Sequence, residues 1–445
     1  MIKKLNVTDL FGQFTYEIDF KPTGISILTG PNGYGKSTIL KIIYSVVEEG
    51  LYELGQYPFK SLTIESNDGK RIFVDKISAS EISVNDIKLL LISPREAERY
   101  SKRFPFKYFE EIGPNQFFDR RTGDILNERE MATLRERYVV NDEQIKDRLI
   151  WVNHMRAKRE QKAEGSFIEL DNYYSEFKKS LGEIKFIKEQ RLIREEKSES
   201  RYYGEEQSQV IEVIKEIPKK LETQIKEIII NYSQISSKLD SSFPKRLFDT
   251  NIELSQREYL DKLGEIILKQ EKISDYNLLK DMRGSTTSTQ HKYRRDLSTA
   301  LSIYLDDTRT KLEVFDDLIK KLDLYKEIID KKLFNKHVEV SSAFGLRILR
   351  EDGVELPLEK LSSGEKQIIV LYYDLIFGVE NKLVLLIDEP EISLHVAWQR
   401  EMLNDFNKIV ELRQDSFSIV IATHSPQLIN NHWDMVVDLG DINGK

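Results

Sequence analysis

The chain of 445 residues has no cysteine. That absence excludes disulfides and cysteine-ligated zinc, and it fits a reducing compartment. No run approaches the roughly 20 apolar residues of a membrane span, so no membrane partner is expected. The opening stretch, Met1 to Phe14, lacks the apolar core of a secretion signal, which makes the cytoplasm the expected location. Positive charge is not in excess: 67 Lys and Arg stand against 75 Asp and Glu, a formal charge of −8. Such a surface is no general attractor of nucleic acid, although a local basic patch stays open. What the chain does have is charge of both signs (32%) and enough apolar residues (40%) for a substantial core. That balance suits long, solvent-exposed helices on one large domain with an insertion, or on two domains.

Residues Gly24 to Thr29 (GISILT) read as a short buried strand, and Gly30-Pro31-Asn32-Gly33-Tyr34-Gly35-Lys36-Ser37-Thr38 follows it. The spacing Gly30-x4-Gly35-Lys36-Ser37 is that of a P-loop. Glycines at 30, 33 and 35 let backbone N–H groups turn inward around a phosphate. Lys36 is placed to bridge the β- and γ-phosphates of ATP, and the Ser37 hydroxyl to sit on Mg²⁺. Thr38 to Glu48 carries Ile39, Leu40, Ile42, Ile43, Val46 and Val47, a helix with an apolar side whose N-terminus points at the phosphates. A chance match in a glycine-containing turn is the alternative, and the strand before and helix after argue against it.

Leu383 to Ile387 is wholly aliphatic, as expected for a central parallel strand covered on both faces. It ends in Asp388-Glu389-Pro390. Asp388 is placed to hold Mg²⁺ and Glu389 to orient or deprotonate the attacking water. Ser418 to Ala422 (SIVIA) is a second buried strand, and Thr423-His424-Ser425-Pro426 leaves its end. Ligands of open α/β sheets bind at that edge, which puts His424 within reach of a γ-phosphate.

In these residues the chain resembles an ABC-type ATPase of the SMC/RecF class. The fold this implies is α/β: a P-loop ATPase head with a mixed or parallel sheet and an inserted helical, coiled-coil-like arm. Leu361-Ser362-Ser363-Gly364-Glu365 corresponds to the ABC signature, with Ser363 for Gly and Glu365 for Gln relative to the transporter form. The resemblance implies that Ser362, Ser363, Gly364 and Glu365 grip the γ-phosphate of a nucleotide held by another subunit. A head-to-tail homodimer, or a higher homo-oligomer, with ATP in the seam is the implied active unit. Glu391 to His395 corresponds to the D-loop that crosses this seam. The family also places a glutamine at a strand end to sense Mg²⁺ and the γ-phosphate, and Gln190, after Ile184, Phe186 and Ile187, is the candidate.

The expected domains are residues 1–50 for the N-terminal lobe of the head, 51–182 for an insertion with a hairpin and helices, 183–195 for a head strand with the glutamine loop, 196–335 for the helical arm, and 336–445 for the C-terminal lobe. Ser61 to Val74 reads as a hairpin turning at Asn67-Asp68-Gly69, and Ile87 to Ile92 as a strand. Basic and aromatic residues alternate from Arg95 to Phe109. A buried aromatic cluster with a solvated basic rim is preferred there over a base-stacking surface. Arg156, Lys158, Arg159 and Lys162 form a second basic run. Val210 to Leu239 carries apolar residues at three- and four-residue spacings, a long helix with Pro218 at a kink or restart and a break at Ser241 to Pro244. Leu297 to Leu333 reads as the returning helix, with a polar tip at Arg283 to His291 between the two. Lys336 to Leu349 is expected to return as strands to the core sheet.

The phrases beginning at Phe109, Ile235 and Tyr304 resemble bacterial AAA-type ATPases of defence islands: the PARIS ATPase subunit, the Septu ATPase and the ATPase half of OLD-family nucleases. An OLD nuclease continues into a Toprim domain, whereas this chain stops at Lys445, so the resemblance implies a separate effector, a Toprim or HNH nuclease being one form. A phage protein as trigger belongs to the same reading. The alternative is an SMC/RecF-like ATPase that binds DNA in repair or chromosome maintenance; a transporter ATPase fits the charged insertions poorly.

Overall fold

The computed structural model describes residues 1–21, 24–92, 109–113, 116–119, 125–127, 150, 153, 165–189, 191–198, 207–279, 293–378, 383–413 and 417–443. The chain divides into two units. One takes residues 1–189, 381–391 and 413–445; the other takes 190–380 and 392–412.

The first unit holds two larger sheets around one core. Strands β1 (Ile2–Leu10), β2 (Phe14–Asp19), β4 (Ser61–Ser66), β5 (Arg71–Ser78), β6 (Glu81–Val84) and β7 (Ile87–Leu90) form an antiparallel sheet in the order β2-β1-β4-β5-β6-β7. The hairpin at Asn67 to Gly69 is therefore present; β4, expected within an insertion, is hydrogen-bonded to β1, and β5 to β7 extend the same sheet. Alternating burial along β4 and β5 shows one face on the core. The second sheet is parallel, in the order β11-β17-β18-β3-β19: β3 (Gly24–Thr29), β11 (Glu183–Ile187), β17 (Leu383–Asp388), β18 (Phe417–Ala422) and β19 (Val436–Asp438). Every residue of β17 and β18 is buried. That is why these stretches are aliphatic throughout rather than alternating. The helix Lys36–Tyr44 buries Ile39, Leu40, Ile42 and Ile43 in the same core as β4, β5 and β17. Its continuation, Ser45–Glu49, widens to a π turn. Helix Gly165–Leu181 completes the packing through Tyr174 and Phe177. A small antiparallel sheet of β8 (Phe109–Gly113), β9 (Gln116–Asp119) and β10 (Ile125–Asn127) also belongs to this unit. The basic runs at 95–108 and 156–162 lie outside the described residues.

The second unit begins with the hairpin β12 (Ile193–Ser198) and β13 (Gln207–Glu212), so Val210 is in a strand and not in the long helix. Pro218 marks the start: helix Ile217–Asp249 runs for 33 residues, about 50 Å. The expected break at Ser241 to Pro244 is absent, and Pro244 lies inside the helix. The seryl hydroxyls fold back instead, Ser241 on the Lys238 carbonyl (3.0 Å) and Ser242 on that of Leu239 (3.1 Å). Arg246 Nη2 also donates to the Leu239 carbonyl at 2.8 Å, one residue before Asp240, whose carbonyl faces the proline that lacks an N–H.

The arm has more helices than expected. Helix Gln256–Asp275 starts at a capping box between Ser255 and Glu258. The returning segment is two helices, Ser298–Glu313 and Asp316–Lys332, broken at the fully buried Phe315. Arg246 pairs with Asp307 and Lys311 with Asp240, so the long helix runs antiparallel to Ser298–Glu313. Lys262–Asp306, Lys269–Asp316 and Tyr276–Asp323 set the capped helix parallel to the returning pair. The residues of the polar tip, 283–291, lie outside the described residues.

Strands β14 (Lys336–Ser341), β15 (Gly345–Arg350) and β16 (Glu355–Leu356) form their own antiparallel sheet and do not join the parallel one. Their ladder partners are one another, and alternating burial along β14 and β15 suits a sheet buried on one face. Helix Ser363–Ile376 and helix Val396–Arg413 close the unit. Among the described residues no helix is long and apolar enough to cross a membrane.

Candidate functional site

Parallel strands deliver their carboxyl ends to one edge, and in the first unit that edge collects the charged and glycine-rich residues. Thr29 leads into Gly30, Asp388 closes β17, and Ala422 leads into Thr423 and His424. The ladder sets Asp388 opposite Ala422 and Ala422 opposite Leu28, so the three segments start at one level.

Gly35 caps the helix Lys36–Tyr44 at φ 87° in the left-handed region. A Cβ there would meet the Leu10 side chain at 2.8 Å as well, so both conformation and space demand glycine. The loop Gly30–Gly35 closes into this N-terminus, which presents unpaired backbone N–H groups and the positive end of the helix dipole. Lys36 is buried, and its ammonium donates to the carbonyls of Gly30 (2.8 Å) and Pro31 (3.2 Å). The Ser37 hydroxyl donates to Asp388 Oδ1 at 2.8 Å, joining the two elements that sequence spacing assigned to one cation. Burial pushes the Asp388 carboxyl above its usual range, and the bond from Ser37 offsets only part of this. A hydroxyl and a buried carboxylate are hard oxygen donors, a set that fits Mg²⁺.

Glu389 leaves the strand at φ 44°, its N–H donating to the Ala422 carbonyl at 2.9 Å. One carboxylate oxygen lies 2.7 Å from His424 Nδ1. The His424 side chain is 55% exposed and that of Glu389 only 14%, so the imidazole shields the acid from one side and faces solvent with the other. The hydrogen bond to Glu389 raises the His424 pKa, against a smaller effect of burial.

Thr423 and Phe11 are not among the residues expected from the sequence, and Glu391 is expected only as the start of the D-loop. Glu391 is buried, accepts a hydrogen bond from the Thr423 hydroxyl, and has its carboxyl pushed up to about 7 by burial. Thr423 Oγ1 accepts in turn from the Ser425 N–H at 3.0 Å. Carboxylate and imidazole atoms of Glu389, Glu391 and His424 all fall within 4.8 Å of one another. The repeated acid in Asp388-Glu389-Pro390-Glu391 was the available signal. Phe11 is 41% exposed, and its ring would lie 3.2 Å from a Cβ at Gly35, so an apolar face borders the loop. Nothing in its local sequence distinguishes it.

The signature residues stand in the second unit. Leu361 is buried, Ser362 caps helix Ser363–Ile376, and Ser362 and Glu365 form a reciprocal capping box. Gly364 faces the backbone carbonyl of Ser393, 3.0 Å from where a Cβ would sit. His395 Nδ1 accepts from the Ala397 N–H at 3.2 Å, capping helix Val396–Arg413. Gln190 lies outside the described residues; its neighbour Arg191 is buried and donates to Gln367 of the signature helix.

A family model described as an AAA ATPase domain (AAA_15) matches residues 1–429. The Septu protein PtuA of Bacillus thuringiensis is 25% identical over 187 residues, which cover 34% of this chain and 46% of that protein. The chain thus spans less than half the length of this relative. Among solved structures, the Smc head domain of Pyrococcus furiosus, with an extended coiled coil and bound to the C-terminal domain of ScpA, is similar at a TM-score of 0.36 and 12% identity. That match covers 97% of this chain and 91% of the other. The SMC head domain from Thermotoga maritima is similar at a TM-score of 0.31 and 11% identity over 96% and 90%.

Proposed function

The chain belongs to the AAA ATPase domain family, and from that premise we propose that it binds ATP with Mg²⁺, hydrolyses it between two copies of itself, and uses the cycle to hold or release a separate effector in anti-phage defence. The observation that carries the ATPase reading is the single sheet edge where the P-loop, Asp388, Glu389 and His424 meet. The similarity to a Septu protein supports the defence setting.

The backbone N–H groups of the loop and the helix N-terminus bind the phosphates. Lys36, now parked on two loop carbonyls, turns its ammonium to the β- and γ-phosphates when they arrive. Ser37 and Asp388 would hold Mg²⁺, which when bound neutralises charge on the phosphates. Phe11 offers its exposed face to the base. Glu389 orients the attacking water and accepts its proton. His424 fixes the Glu389 carboxylate and faces the departing phosphate with its free edge. Ser362 and the helix behind it grip the terminal phosphate from the second copy. The signature and the P-loop are therefore read as halves of two different sites in a head-to-tail pair.

Glu389→Gln keeps the shape of the site and removes its base. With MgATP it should accumulate as a nucleotide-bound dimer or higher assembly in light scattering, whereas the wild type cycles. A variant that stays monomeric at saturating MgATP contradicts the shared-site reading. Affinity purification of this trapped form should retain an effector encoded beside it; ATP-dependent, salt-sensitive duplex binding with no protein partner would instead favour the DNA-maintenance alternative.

A further inference from the structure

The signature of this chain places a carboxylate, Glu365, in the first turn of the helix that is read as receiving a phosphate. An acid there stabilises the bare helix, because it answers the N-terminal dipole. It also repels any polyanion brought to the same terminus. Neighbouring donors counter it. Lys336 Nζ donates to Glu365 Oε1 at 2.6 Å, while Ser362 donates to Oε2 through its N–H (2.9 Å) and its hydroxyl (2.9 Å). The pair is mostly buried, with the side chains 24% and 12% exposed.

We propose that Lys336 is a positioning residue of the signature: by neutralising Glu365 it frees Ser362 and the helix N-terminus to accept the terminal phosphate of ATP held by a second copy of this chain. The proposal rests on the shared-site reading above. Ser362 has one hydroxyl proton, and Glu365 now holds it. When that proton swings to a phosphate, the Ser362 N–H stays on Oε2, and Lys336 on the opposite oxygen supplies the countercharge that the carboxylate needs. Protonation of the acid does not take its place. Burial raises the Glu365 pKa, but the bonds from Lys336 and Ser362 outweigh burial, and the net shift is downward.

Lys336 is also where the arm reaches the signature. It opens β14, four residues after Lys332 ends the last arm helix. Asp330 in that helix accepts from the Val338 N–H at 2.7 Å, so helix and strand move as one piece.

The test uses the full chain in the Glu389→Gln background, with MgATP titrated and dimer followed by light scattering. Lys336→Met should raise the ATP concentration for half-maximal dimerisation by about tenfold or more. Lys336→Arg, which keeps the charge, should stay near the parent. Lys336→Met combined with Glu365→Gln should recover most of the loss, since the unpaired charge is then gone. Unchanged dimerisation in Lys336→Met overturns the proposal. So does a double variant as impaired as the single one, because the lysine would then act only as scaffold. A parent that fails to dimerise with MgATP overturns the shared-site reading itself and this proposal with it, an outcome visible before any Lys336 variant is made.

Discussion

Asp388 and Glu389 are adjacent carboxylates with different surroundings, and their expected roles follow from that difference. Asp388 is tied to Ser37 within the core edge, a cation-binding arrangement; Glu389 turns out at φ 44° toward His424. Glu389→Gln should therefore lower kcat by about 10²–10³-fold while leaving the Kd for ATP within about threefold, read by single-turnover hydrolysis and nucleotide titration. Glu391 gives a pH prediction. Its carboxyl keeps its proton up to about 7 in the fold, while the unfolded chain releases it near 4.5. The sign follows from linkage: between these values the unfolded state binds fewer protons, so stability falls as pH rises. Glu391→Gln removes that fall. The variant should gain on the wild type across this window, by about 3 kcal/mol at most, and the gain should level off above it. Denaturant midpoints at pH 5 and pH 8 check it; a variant that loses ground at the higher pH refutes it.

At the scale of elements, a buried ion pair joins the arm to helix Val396–Arg413, and its acid also takes a hydrogen bond from the signature helix. Lys332, on the last arm helix, has a side chain only 1% exposed and sits 2.6 Å from Asp405, which also accepts from Tyr372 at 2.8 Å. Removing the lysine alone leaves a buried, uncompensated carboxylate. Lys332→Ala should cost about 3–5 kcal/mol in denaturant unfolding, and Lys332→Met with Asp405→Leu should restore much of it. Gly345 is a second point of contact, where a Cβ would lie 1.8 Å from the Pro218 carbonyl at φ 69°. Gly345→Ala should force β15 and the long helix apart and expose Tyr373 and Gln224 to faster hydrogen exchange. These elements also show where sequence reading stops. Pro244 reads as a break because propensity counts the N–H that proline lacks, yet that loss touches one carbonyl, Asp240, in a helix of 33 residues. Leu297 to Leu333 reads as continuous because helical spacing persists across Val314 and Phe315, and a two-residue break leaves the apolar period almost intact.

In the whole molecule, the candidate edge was legible because a P-loop and a doubly covered strand demand fixed residue types at strand ends. A P-loop tolerates few substitutions at Gly35, and a doubly covered strand must be aliphatic up to Asp388. The arm was legible only as helix, since apolar periodicity names a face but not what lies against it. Phe11 and Lys336 were not legible as site residues, because only the fold brings them to Gly35 and Glu365. On the proposed pairing, each nucleotide is served by the P-loop of one copy and the signature of another. Mixing two dead variants, Lys36→Met and Ser362→Arg, decides the matter. Each should be inactive alone. Random pairing makes about half the dimers mixed, each with one intact site of two, so the mixture should recover about a quarter of wild-type ATPase. No recovery, in a mixture shown to exchange subunits, would contradict the account.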